Sequence, residues 1–152
     1  MNPKKEKLMV ANAEGNAPVI INSFASKEVS YGETWNVYLQ AQDPDGDMKQ
    51  NICILEEPGH GPHPVTFIRI REKYRRILSG YIYLSTRTDF GFGFASCLLT
   101  VQIEDSKGHY SNAVSFPVTL NPRATQQTPP PGIFQEEELG PIQIFLASTP
   151  GP

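Results

Sequence analysis

The sequence predicts an all-β fold, a single immunoglobulin-like two-sheet sandwich of about seven strands with extended N- and C-terminal segments. Apolar and polar side chains alternate with period two through residues 18–121, and turn-forming clusters recur between the alternating runs. No stretch of ten or more residues shows the 3.6-residue period of an amphipathic helix. About seven short strands in roughly 100 residues are typical of two packed sheets.

The strands follow one another at near-regular spacing. The first spans residues 18–24, and each later strand is marked by a pair of apolar residues that we expect to face inward. These pairs are Val37 and Leu39, Ile52 and Ile54, Ile68 and Ile70, Ile82 and Leu84, Val101 and Ile103, and Val118 and Leu120. Clusters of Asp, Gly, Pro and Ser at residues 43–47, 58–62 and 105–108 have the composition of turns.

Composition divides the 152 residues into three parts. Residues 1–17 form a polar N-terminal arm, residues 18–121 the sandwich, and residues 122–152 a tail that holds seven of the fourteen prolines. The apolar runs are too short to span a bilayer, and a net charge of −3 does not favour a nucleic-acid partner. The apolar stretch after Lys7 is also too short for a functional signal peptide.

Two segments carry a family resemblance. Residues 32–47, which read GETWNVYLQAQDPDGD, and residues 101–108, which read VQIEDSKG, resemble bacterial immunoglobulin-like modules of the PKD and cadherin-like kind. The resemblance covers about residues 18–121. It implies a small sandwich of a cell-surface or secreted protein that acts as a spacer, adhesion unit or assembly subunit. It therefore implies an extracytoplasmic location, either periplasmic or at the cell surface.

Three aspartates alternate in one turn, at Asp43, Asp45 and Asp47. Ca²⁺ binds six to eight oxygen ligands, and carboxylate clusters supply them. The resemblance implies that this loop sometimes holds calcium near the end of the sandwich, where Asp105 would also arrive. A tight turn without metal, in which the aspartates bond their own backbone, is the favoured alternative.

The two cysteines are predicted to lie on different faces. Cys97 shares the inward phase of Leu99 and Val101, whereas Cys53 is out of phase with Ile52 and Ile54. Side chains on opposite faces cannot reach disulfide geometry, so two free thiols are favoured, although the sequence leaves a disulfide open.

Cations and tyrosines indicate a partner-binding face. Arg69 and Arg71 fall on the solvent phase of their strand, and Tyr81 and Tyr83 follow on the next strand. Interleaved Arg and Tyr are typical of protein interfaces and also suit a carbohydrate. The alternative is a solvated strand face. The other cations of this cluster are Lys73, Arg75 and Arg76.

The tail contains a second candidate for partner binding. Residues 141–147 are apolar and strand-like, and they follow a Pro-rich spacer. We expect this segment to add a strand to a sheet edge, of this chain or of a neighbour. The alternative is a disordered tail. The apolar residues of the segment are Ile142, Ile144, Phe145 and Leu146.

The remaining motifs do not indicate catalysis. Phe90, Phe92 and Phe94 alternate with glycines and are expected to plug one end of the core, or otherwise to form an exposed lip. His60 and His63 lie in a Pro/Gly loop and are expected to be solvated. No nucleophile elbow, phosphate loop or dinucleotide fingerprint is present, so no catalytic residue and no cofactor other than Ca²⁺ are predicted. The sequence therefore favours a non-catalytic structural or protein-interaction subunit, with a carbohydrate- or Ca²⁺-binding adhesion module as the alternative.

Overall fold

A computed structural model describes residues 15–59, 61–62, 64–86 and 96–143. Within these ranges the regular structure is almost entirely β, which confirms the predicted fold class. The strands are β1 Val19–Ala25, β2 Glu28–Val29, β3 Thr34–Gln42, β4 Met48–Glu57, β5 Gly61–Pro62, β6 Thr66–Arg69, β7 Ile77–Ser85, β8 Ser96–Asp105, β9 Val114–Leu120 and β10 Glu138–Pro141. A 3₁₀ turn at Glu72–Tyr74 precedes β7. No helix in the described ranges is long and apolar enough to cross a membrane.

The strands form two sheets. Sheet A has the order β1-β3-β7-β10, and sheet B has the order β2-β9-β8-β4-β5, with β6 also paired to β4. The pairs are antiparallel except β10 with β7 and β2 with β9, which are parallel. Because every second side chain of both sheets points inward, one core lies between the two layers.

Strand β3 shows the predicted alternation. Trp35, Val37, Leu39 and Ala41 are buried in the core. Trp35 is fully buried, and its indole N–H donates to the carbonyl of Ser26 at 2.8 Å. A buried indole needs a partner for its N–H, and this bond provides it.

Strand β4 has the opposite phase from the one predicted. Cys53 is only 1% exposed and Leu55 is buried, whereas Ile52 and Ile54 point outward and are half-buried. The register of β4 against β8 shifts between Met48 and Gln50. A bulge at this point inserts one residue and moves every later side chain to the other face, which period-two counting cannot detect.

The cysteines are free thiols, as favoured, but the reason given for this was wrong. Both point inward on neighbouring strands. Cys53 pairs with Val101, four residues beyond Cys97 along β8, and that stagger corresponds to about 13 Å. This distance is far beyond disulfide reach. Burial raises the pKa of each thiol to about 12, so neither is a nucleophile at neutral pH.

The tail strand starts three residues before the predicted segment. The observed strand is Glu138–Pro141, and the register of β10 against β7 shifts between Glu138 and Gly140. This irregularity lets Leu139 and Ile142 both face the core although they are three residues apart. The alternation of side chains in the sequence predicted a strand only in the apolar run after Pro141. Ile144, Phe145 and Leu146 lie outside the described residues.

Candidate functional site

A strap, defined as residues 121–137, leads from β9 to β10 without a strand or helix of its own. It is tied to the sandwich by hydrogen bonds to loops and strand ends. The Ser30 hydroxyl donates to the Ala124 carbonyl at 2.8 Å, and the Gln127 N–H donates to the Ser26 hydroxyl oxygen at 2.9 Å. Further along, the Gln135 N–H donates to the Ser79 hydroxyl oxygen at 2.9 Å. The strap therefore crosses to sheet A and reaches the edge formed by β7.

The strap covers the outward-facing Tyr38. The ring of Phe134 lies 5.5 Å from the ring of Tyr38, measured between centroids. The Tyr38 hydroxyl donates to the Glu136 carboxylate at 3.2 Å, and Tyr38 is buried although it belongs to the outer face of β3. Desolvation by burial raises the pKa of Tyr38, and the charge of Glu136 adds to the rise. Sequence alternation identified the outer phase of Tyr38 but not the segment that covers it.

Strand β10 completes the edge of sheet A. The Tyr81 N–H donates to the Glu137 carbonyl at 2.9 Å, and the Ile142 N–H donates to the Tyr83 carbonyl at 2.7 Å. Leu139 packs on Gly80, where a Cβ would collide with the Glu137 carbonyl oxygen and lie 3.0 Å from the Leu139 Cγ. A glycine in a strand often marks such a close backbone approach.

The other side of β10 contacts sheet B. A Cβ on Gly140 would lie 2.6 Å from Cγ2 of Ile68, on β6. The Thr66 hydroxyl donates to the Gln143 carbonyl at 2.8 Å, and Nη2 of Arg71 donates to the Glu138 carbonyl at 2.9 Å. Strand β10 therefore bridges the neighbouring edges of the two sheets.

Of the predicted cations, Arg71 is connected to Tyr81 and Tyr83 through β10 and its flanking residues. Arg69 and Arg71 follow the outer phase of β6 in sheet B, whereas Tyr81 and Tyr83 lie on β7 in sheet A. The two strands are not neighbours in one sheet, so the expected continuous Arg/Tyr sheet face is not formed directly. Glu137 and Glu138 lie between the two groups.

The carboxylates of Glu137 and Glu138 each accept a hydrogen bond from a tyrosine hydroxyl in this region. The Tyr74 hydroxyl donates to Glu137 at 2.6 Å, and a hydrogen bond from Tyr83 to Glu138 raises the pKa of the Tyr83 phenol. The Lys73 ammonium lies 5.0 Å from the ring centroid of Tyr74. We call this region the edge surface; its residues are Arg71, Lys73, Tyr74, Tyr81, Tyr83, Glu137 and Glu138. Sequence analysis missed Tyr74, Glu137 and Glu138, and no short-range pattern pairs them.

Arg75 and Arg76 support a different part of the molecule. The Arg76 guanidinium donates to the Pro44 carbonyl, and the Asp43 N–H donates to the Arg76 carbonyl at 2.9 Å. The Met48 N–H donates to the Arg75 carbonyl at 3.2 Å. These two arginines, predicted as partner-binding residues, therefore contact the turn between β3 and β4.

That turn, residues 43–47, is the aspartate loop. Asp43, Asp45 and Asp47 each place one carboxylate oxygen within 4.8 Å of the others. The loop is shaped by local bonds: Oδ1 of Asp43 accepts the Asp45 N–H at 3.0 Å, and Gly46 adopts a φ of +67°. Oδ2 of Asp47 accepts the Ser106 hydroxyl at 2.9 Å.

Two carboxylate oxygens of the aspartate loop are buried without a hydrogen-bond donor among the described residues. They are Oδ2 of Asp43, a residue that is 1% exposed, and Oδ1 of Asp47. Burial raises the pKa of Asp43 to about 6, and the neighbouring Asp47 carboxyl contributes to the rise. The pair can therefore hold a proton or a cation between its oxygens at modest cost.

The carboxylate of Asp105, the fourth predicted ligand, is hydrogen-bonded within its own turn. Its Oδ1 accepts the N–H groups of Lys107 and His109 at 3.0 and 2.8 Å. Its Oδ2 lies 2.8 Å from Nδ1 of His109. Asp105 is not one of the three residues whose oxygens cluster in the aspartate loop.

An apolar stripe lies on the outer face of sheet B. Ile52 pairs directly with Phe67, which is 58% exposed, and Ile54 follows on the same face of β4. Sequence analysis missed the stripe because it assigned both isoleucines to the core. Phe90, Phe92, Phe94, His60 and His63 lie outside the described residues.

Comparison with known proteins yields one related fold. No family model and no curated protein matches the chain. Among solved structures, the chain is similar to the PKD domain of an M14-like peptidase from Thermoplasmatales archaeon SCGC AB-540-F20. The match has 14% sequence identity and a TM-score of 0.41, and it covers 70% of this chain and 97% of that one. The sequence resemblance named the same kind of domain, and the likeness concerns the fold alone.

Proposed function

We propose that this chain is a non-catalytic sandwich module that binds a protein partner through the edge surface, as a subunit of a larger extracytoplasmic assembly. The observation that carries the proposal is the position of β10, which joins Arg71, Tyr81 and Tyr83 into one surface. The extracytoplasmic location rests on the resemblance of residues 32–47 and 101–108 to cell-surface modules.

The chemistry of the edge surface suits a protein. Tyr and Arg are enriched at the residues that dominate binding energy, because they bury a large area and keep polar tips. The Tyr81 and Tyr83 rings lie 6.5 Å apart, and hydrogen bonds hold Tyr74 and Tyr83 against the two glutamates. Side chains already held in place lose less entropy on binding.

Affinity capture with a matched pair of tyrosine variants tests this proposal. We expect the wild-type protein and Tyr110→Ala to retain the same partner, and Tyr83→Ala to lose it by tenfold or more, a loss of about 1.4 kcal/mol. Tyr110 is a suitable control because it is exposed and lies in the turn that follows β8. Equal recovery by all three proteins would contradict the proposal, as would glycan-array binding that Tyr83→Ala abolishes, because the surface would then bind carbohydrate.

A second proposal concerns the aspartate loop, which we infer to bind Ca²⁺. The unpartnered Oδ2 of Asp43 and Oδ1 of Asp47 favour it, because buried anionic oxygens need a donor or a cation. Asp43, Asp45 and Asp47 would supply carboxylate ligands. A bound cation would stiffen the connection between β3 and β4.

Calorimetric titration with CaCl₂ tests the calcium proposal. We expect wild-type protein to bind and to melt at a higher temperature, with about 2.7 kcal/mol of added stability at 100 times the Kd. Asp47→Asn should abolish both effects, whereas Glu72→Gln, which removes the same charge from an exposed site, should keep them. Absence of heat and of any melting shift in the wild-type protein would overturn the proposal.

A further inference from the structure

Strand β10 is joined to the sandwich by its flanking residues and by buried side chains. Main-chain bonds of Glu137 and Ile142, on either side of the strand, link it to Tyr81 and Tyr83 on β7, and the side chains of Leu139 and Ile142 enter the core. It pairs parallel to β7, and the strap connects it to β9 in the other sheet.

The groove that receives β10 is built entirely by another part of the chain. Gly80 leaves space for Leu139, and all three atoms nearest to a Cβ at Gly80 belong to Glu137 or Leu139. Ile68 packs on Gly140, and the Thr66 hydroxyl binds the Gln143 carbonyl. The groove therefore holds the last strap residue, Glu137, together with β10 and the two residues that follow it.

The strap contains a glycine suited to act as a hinge. Gly132 has a φ of +84°, and within the described part of the chain no atom outside its immediate neighbours lies within 4 Å of the position of its Cβ. It follows three consecutive prolines, Pro129–131, which favour an extended backbone. Residues 121–137 can span at most about 60 Å when straight. Extension at Gly132 would direct β10 away from its own sandwich.

We propose that β10 is exchanged between two copies of this chain, each copy inserting Leu139 and Ile142 into the β6–β7 groove of the other. The exchanged dimer keeps the contacts of the monomer, so hinge conformation and protein concentration determine the balance between them. The inference deepens the proposed role as an assembly subunit and rests on it.

Complementation of two damaged variants tests the exchange. Gly80→Val fills the groove but keeps an intact β10, whereas Leu139→Asp spoils β10 but keeps an open groove. We expect each variant to be monomeric alone, and a mixture to form a 1:1 heterodimer by size-exclusion chromatography with light scattering. A mixture that stays monomeric, while circular dichroism shows both variants folded, would overturn the inference.

A hinge variant gives an independent measurement that requires neither of these two damaged variants. Valine is strained at positive φ, so Gly132→Val should raise the dimer association constant about tenfold. Gly59→Val is the matched control, since Gly59 has a φ of +85° and, as far as the described residues extend, equally open surroundings. Equal dimer fractions for the two variants would contradict the exchange. Partner capture that is insensitive to Tyr83→Ala would contradict the proposed function alone.

Discussion

The β10 edge and the aspartate loop both bury polar groups, with opposite outcomes. At the edge, main-chain groups of β10 and its flanking residues are bonded to β7, to Thr66 and to Arg71. In the loop, carboxylate oxygens of Asp43 and Asp47 are buried and receive no hydrogen bond from the part of the chain that the structure describes. The difference is that main-chain groups at the edge are bonded within this chain, whereas the loop leaves two buried carboxylate oxygens for which the described residues supply no donor.

The largest effect is expected at the edge, from Leu139→Ala. Removing a buried leucine side chain leaves a cavity and costs about 3 kcal/mol. Urea denaturation measures the loss, and Val65→Ala, at an exposed position, should change stability by less than about 0.5 kcal/mol. A small loss from Leu139→Ala would show that β10 contributes little to the fold.

The loop should instead respond to pH, through Asp43. Its folded pKa of about 6 exceeds the ordinary aspartate value of 3.8, so its contribution to stability is present below pH 3.8 and is lost as pH rises through 6. As pH falls from 7 to 4, we expect the free energy of unfolding of the wild-type protein to rise relative to that of the Asp43→Asn variant. Denaturant titrations across this range measure the difference.

Asp45 is the control for this pH dependence, because the Asn16 N–H lowers its pKa. Its contribution has the opposite sign and is lost as pH falls. The Asp45→Asn variant retains Asp43. On acidification, its free energy of unfolding should therefore still rise relative to that of Asp43→Asn. A constant difference between the wild-type protein and Asp43→Asn at every pH would contradict the assignment.

Calcium and the proton should compete for the same oxygens of the loop. If Asp43 is a ligand, Ca²⁺ affinity should fall by up to about tenfold per pH unit below 6, because the proton must leave first. Calorimetric titrations at pH 7, 6 and 5 measure this slope. An affinity that does not change with pH would exclude Asp43 from the ligand set.

The smallest effect is expected behind β10, at Asn51. Its amide nitrogen and oxygen are buried and have no hydrogen-bond partner in the described ranges, and they lie in a gap also lined by Leu78 and Leu139. Replacing the amide with an apolar group of similar size should stabilise the protein by about 1 kcal/mol. Thermal melting of Asn51→Leu tests this, and a lower melting temperature would show that the amide has a partner such as water.

The sequence predicted those parts of the fold in which alternation is uninterrupted. Strand β3 follows the period without a break, so the burial of Trp35, Val37 and Leu39 could be read directly. The bulge between Met48 and Gln50 reversed the phase of β4, and a second irregularity shifted the tail strand. A single inserted residue is invisible to a periodic pattern.

The candidate site was predicted as residue types but not as an arrangement. The cluster of three aspartates is local, so its spacing alone indicated the loop. The edge surface depends on contacts such as that of Arg71 with Glu138, 67 residues apart, which no local pattern encodes. The unpartnered oxygens of Asp43 and Asp47 likewise depend on how deeply the folded chain buries them.

The indole of Trp35 offers an optical signal that separates two events. It is the chain's one tryptophan, and it is fully buried with its N–H bonded to Ser26. Its emission should shift to longer wavelength when the whole core opens to water, but should stay unchanged when β10 alone leaves its groove. Fluorescence at each protein concentration can therefore distinguish release of the terminal strand from denaturation in one sample.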